Sequence, residues 1–182
     1  MGAFTKLFWG FLFFFDFRIN GLDLLPDIVG YLFIYFGLVE LAKRNHNFES
    51  ARIVTIPLAF FSLFDLIQLQ NQGNGIHLNF TSFFAVFLGL LITLINLFMV
   101  FKIVMGIKEL SRQYGEYALE ETANSRWLLY LASQFALFII VPIGLLIPLL
   151  LAILFIPIFI FFIMVLIMMM LLMKQAEEKI CA

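Results

Sequence analysis

Cysteine occurs once in the 182 residues, at Cys181, which excludes an internal disulfide framework and any CxxC metal or redox pair. Charged side chains make up 13% of the chain, roughly half the share of an ordinary soluble domain, too little polar surface to clothe a soluble globule. No GxSxG, HExxH, Walker loop or GxGxxG is present, so no catalytic residue is nominated and the protein is not expected to be an enzyme. The two histidines, His46 and His77, fall in separate polar loops, and neither a metal site nor a cofactor is implied. With a formal net charge of -1 there is no basic footprint for nucleic acid. The apolar run 7–15 is followed by Asp16 and Arg18 without a small-residue cleavage site, which argues against a cleavable signal peptide. Lipidation patterns fail as well: Lys6 stands where a myristoylation signal needs Ser or Thr, and Cys181 is too close to the end for prenylation.

What is abundant is apolar. Hydrophobic residues account for 64% and aromatic residues for 18%, with 25 phenylalanines, and the mean hydropathy is +1.07. The apolar runs are continuous rather than alternating, which predicts helices and not a barrel. The expected fold is all-α: a polytopic transmembrane bundle of about six helices forming a single integral membrane domain over 1–182. Residues 3–17 fall short of a hydrocarbon thickness of about 30 Å, so the first helix is either a short tilted span or a re-entrant segment. The second is expected over 23–42, with Asp23 as cap, Pro26 in the first turn and Asp27 at the positive end of the dipole. The third, 51–69, carries Ser62, Asp65 and Gln68 at steps of three. The fourth, 80–101, carries Ala85 and Gly89 in a small-xxx-small pattern that favours close approach, and Thr93 and Asn96 able to bond across helices, like Ser133 and Gln134 further on. Residues 102–126 form a sizeable aqueous loop, helical in character around EYALEETANSR. From 127 to 173 no charge appears, long enough for two spans that turn between Gly144 and Pro148. Pro142, Pro148 and Pro157 are expected to kink or interrupt these helices, and the methionines 164, 168, 169, 170 and 173 to act as adaptable packing. A polar tail, 174–182, ends the chain.

Charge orders the topology. If all six segments cross, ten of the eleven Lys and Arg fall on one side and only Arg18 on the other, which places both termini and the 102–126 loop in the cytoplasm. All eight glutamates share that side, whereas the four aspartates lie toward the outer face. The candidate site is therefore an outer polar cluster of Asp16, Arg18, Asp23, Asp27 and Asp65. It serves either as a mouth that binds a cation or charged group, or as helix caps with Arg18 paired locally to Asp16 or Asp23.

The run DFRINGLDLLPDIVGYLF, at 16–33, resembles the N-terminal signature of small multi-pass membrane proteins of low-GC Gram-positive bacteria, in which an acidic residue, a glycine and an LPD-x-[IV]-G-Y run open the second helix. The resemblance implies a bacterial cytoplasmic membrane, gives priority to Asp23, Pro26, Asp27, Gly30 and Tyr31, and brings no activity. The functional expectation is an accessory, regulatory or protective subunit of a larger membrane complex, its partners being the lipid bilayer and a membrane protein or further copies of itself. The alternative is a small transporter or channel that uses the acidic mouth.

Overall fold

The computed structural model describes residues 2–14, 18–19, 22–23, 27–70, 83–146 and 148–180, which form six helices and one two-residue ladder. In chain order these are α1 (Ala3–Phe13), β1 (Arg18–Ile19), β2 (Leu22–Asp23), α2 (Asp27–Leu41), α3 (His46–Gln70), α4 (Phe83–Gln113), α5 (Tyr117–Leu146) and α6 (Pro148–Ile180). The all-α class holds, and α5 gives way to α6 inside the expected 144–148 window. Pro148 opens α6, where its missing N–H is no loss. Pro57 and Pro157 lie within helices that continue through them.

Helix lengths differ from the expectation in three places, the first being α3, which starts at His46, five residues before the expected 51. The segment 102–126 is not an open loop: α4 runs on to Gln113 and α5 starts at Tyr117, so the two helices project together and turn at 114–116. Gly115 sits at that turn with φ 75°, a left-handed conformation that a Cβ would disfavour. The first pair is shorter than predicted, because α1 has 11 residues and α2 has 15, against 31, 30 and 33 for α4, α5 and α6. At 1.5 Å per residue, α1 and α2 reach about 16 and 22 Å, while the long helices exceed about 45 Å. Among the described residues two segments, Phe87–Gln113 and Ile156–Ile180, are long and apolar enough to cross a membrane.

The helices close a ring in chain order, each packing on the next, with α6 returning to α1 and α4 also touching α6. Each buries one face at helical spacing. On α3 the buried positions are Phe48, Ala51, Thr55, Leu58 and Ser62, and on α6 they include Val165, Met169, Leu172, Met173 and Ala176. The opposite faces are apolar as well: Ile53, Ile56 and Phe60 on α3 and Ile156, Ile160 and Ile167 on α6 are exposed. Helices that are hydrophobic all round belong in a buried core or in lipid.

Glycine sets the tightest contact. A Cβ at Gly10 would stand 2.9 Å from the Gly30 carbonyl oxygen, and one at Gly37 would stand 2.8 Å from that of Ala3, so α1 and α2 meet backbone to backbone. Gly106 lies under the Phe48 ring in the same manner. At Gly89, where the sequence predicted a close approach, a Cβ would meet nothing within 4 Å. A side chain adds to the α6–α1 packing where the ring closes: Glu177 of α6 accepts hydrogen bonds from the backbone N–H groups of Phe4 (2.8 Å) and Thr5 (3.2 Å). These are orphan donors of the first turn of α1, which has no cap from its own N-terminal residue.

Candidate functional site

Four of the five residues of the expected polar cluster are described, and they fall on three elements: the ladder, α2 and α3. Asp16 lies outside the described residues. Arg18 and Asp23 are directly opposed in the backbone register of the antiparallel ladder, with Ile19 opposite Leu22. Asp23, expected to open the second helix, is a strand residue, and α2 is described from Asp27 on. The signal for the hairpin was present in the sequence as Asn20-Gly21, the dipeptide most favoured between two strands. Asp27 is the first residue of α2 and is exposed, where its charge meets the positive end of the helix dipole. Asp65 belongs to α3, one and a half turns from its end.

Backbone register fixes the relative depth of Asp27 and Asp65. Helices α2 and α3 are joined by residues 42–45 and pack antiparallel, so Asp27 stands opposite about residue 60 of α3. Asp65 then lies roughly 7 Å further along the axis, toward the segment that carries the ladder. The acids thus gather at one end of the α2–α3 pair, staggered by more than one turn.

A second polar group joins helices that are not neighbours in the ring. The Asn96 side chain on α4 donates to Tyr31 Oη on α2 (2.9 Å), and Tyr130 Oη on α5 donates to Asn96 Oδ1 (3.2 Å). Both tyrosines are buried, and a buried hydroxyl needs such a partner. Asn96 therefore acts across helices as predicted, but Thr93 and Ser133 do not: Thr93 donates to the Gly89 carbonyl and Ser133 to the Tyr130 carbonyl, each within its own helix. Ser62 likewise donates to the Ala59 carbonyl.

The end of the bundle that carries the termini is braced by charge. Lys6 pairs with Glu40, Lys179 with Glu116 (3.0 Å) and Arg112 with Glu120 (2.5 Å), while Glu109 accepts from Asn45 and Asn47. The Arg112 guanidinium holds the Glu120 carboxyl below its ordinary range, chiefly through their hydrogen bond, and its own pKa is raised in return. His46 lies on this end beside Glu49; His77 is outside the described residues. Among the described residues no three His, Cys, Asp or Glu gather as a metal site would require. In comparisons with known proteins, no family model, no curated protein and no solved structure matches the chain.

Proposed function

We propose that the chain is an integral protein of a bacterial cytoplasmic membrane, with both termini inside, and that it works by association, as an accessory, regulatory or protective subunit of a larger membrane complex. In this reading α3 to α6 cross the bilayer and the α1–α2 hairpin enters from the inner side without crossing. The lengths support it. Since α6 ends at Ile180 and Phe4 meets Glu177, α1 runs back along α6 and its end, Phe13, reaches only the level of Met168. From that level to Pro148 is 20 residues, about 30 Å, one hydrocarbon thickness. The apolar outer faces, the asymmetry of Lys and Arg and the resemblance at 16–33 support the membrane and its sidedness.

The observation that carries association over transport is the filling of the inner half. Phe4, Leu7, Ile34, Leu38, Phe48, Met99, Ile103, Ile107, Leu119, Met169 and Met173, from all six helices, are buried there, and the braced charges lie beneath them. A site for a travelling solute needs polar lining, and this interior is packed with hydrocarbon. Capture from native membranes tests the reading: a stoichiometric membrane partner is expected, lost when residues 106–126 are replaced. Solute flux in liposomes holding only this chain would contradict it.

One observation favours the transporter reading, namely the two-residue ladder that carries Arg18 and Asp23 between two half-length helices, since non-helical backbone at membrane depth belongs in protein or a watery cavity. Asp65→Asn separates the two. An association protein keeps its partner and its abundance, whereas a transporter loses uptake at normal expression.

A further inference from the structure

Seven of the eleven cations of this chain fall into two groups. Lys6, Arg112, Lys174 and Lys179 each meet a carboxylate. Arg52, Lys102 and Arg126, on α3, α4 and α5, meet none among the described residues: Lys102 donates to Asn47 Oδ1 (3.2 Å) and lies over the Phe98 ring, and Arg126 Nη1 meets the Met168 sulfur (2.9 Å). All three are partly buried. A partly buried guanidinium facing a thioether is short of the anion that would offset its desolvation.

The three lie at one depth. The pairs Asn47–Glu109 and Thr55–Met99 set the register of α3 on α4 and put Arg52 opposite residues 102–104. The pairs Lys108–Asn124 and Arg112–Glu120 put Arg126 opposite residue 106, one turn away. Trp127 follows Arg126 and packs on Phe101, and Trp9 of α1 lies about one turn from the level of Met168, so both tryptophans mark the same plane. Beside the cations the surface is apolar: Ile53, Phe98 and Leu128 are exposed next to Arg52, Lys102 and Arg126.

We propose that Arg52, Lys102 and Arg126 form a belt that binds the phosphates of anionic lipids in the inner leaflet, with the flanking apolar side chains taking the acyl chains. Phosphate supplies what the cations lack, because guanidinium and phosphate oxygens match two for two. The proposal rests on the membrane reading above.

The test is native mass spectrometry of the full chain in mild detergent, titrated with phosphatidylglycerol and with phosphatidylcholine. Wild type is expected to prefer phosphatidylglycerol by roughly tenfold, and Arg52→Gln/Arg126→Gln to lose most of that preference, since a basic residue near an anionic surface contributes about fivefold. Lys174→Gln/Lys179→Gln removes the same charge from paired cations and is expected to keep the preference within about twofold. Equal retention of both lipids by wild type, or equal loss in the two double variants, overturns the proposal. If the glutamine variant fails to fold, Arg52→Lys/Arg126→Lys replaces it; it keeps the charge without the fork, and an undiminished preference there counts against phosphate recognition. Resistance to carbonate extraction, measured in parallel, reports the membrane reading separately: a chain that resists extraction yet prefers no lipid sinks only the belt.

Discussion

At the scale of single residues, the tightest constraint is the absence of a side chain. Gly30 faces the Gly10 carbonyl oxygen and the Phe13 Cβ, each 2.9 Å from where its own Cβ would be. Gly30→Leu therefore has to push α1 from α2 and is expected to destabilise the protein by about 1–3 kcal/mol, seen as a lower melting temperature in detergent. Gly89→Leu, into open space, is expected to stay within about 0.5 kcal/mol; a reversal of that order would mean the hairpin is not the close-packed pair. Asn96→Leu takes from the buried Tyr130 hydroxyl its acceptor and is expected to cost about 1–2 kcal/mol. A double-mutant cycle with Tyr130→Phe should return a coupling of about 0.6 kcal/mol, the usual scale inside a membrane protein. Asn96 was legible in the sequence because a polar amide inside an apolar run has to find a partner. Its partners were not, since Tyr31 and Tyr130 stand 65 and 34 residues away and nothing local points to them. The same holds for glycine: spacing singled out Gly89, whereas proximity across the ring selects Gly10, Gly30 and Gly37.

At the scale of elements, the existence and order of the helices followed from the apolar runs, and the α5–α6 break followed from Gly144 to Pro148. Length was less legible. The expected start of α2 at Asp23 rested on cap chemistry that fits a helix start, yet Asp23 pairs in a ladder with Arg18, and α2 is described from Asp27 on. Residues 102–126 looked like a loop because they are polar, but α4 and α5 continue through that polarity to Gln113 and from Tyr117. The α4–α5 tip carries a pH prediction. Because Arg112 depresses the Glu120 carboxyl, the pair's contribution is present above the ordinary carboxylate pKa and is lost as pH falls through the lowered one. Hydrogen exchange at residues 112–120 is expected to quicken below that range in wild type, and Glu120→Gln to show the quicker exchange already at neutral pH. Arg112 is exposed and the pair sits at the turn end of α4 and α5, so the effect belongs to the tip and should leave the global melting temperature nearly unchanged.

At the scale of the molecule, the clasp of Glu177 on the first turn of α1 adds to the α6–α1 packing where the ring closes. A Cβ at Gly2 would collide with that carboxylate, so Gly2→Val and Glu177→Ala are both expected to loosen the N-terminal hairpin, with protease cutting near residue 14 as the readout. The candidate polar cluster was legible as a set of residue types and only partly as a place: Arg18 and Asp23 are brought together by a hairpin, Asp27 and Asp65 by the antiparallel run of α2 and α3. What the cluster serves depends on whether the chain acts alone. The most direct measurement is the mass of the particle released from native membranes into polymer-bounded discs without detergent. The account predicts a complex well above the 21.0 kDa of one chain, holding a second membrane polypeptide in fixed ratio. A particle that holds this chain alone, and that carries solute flux once moved into liposomes, would contradict it.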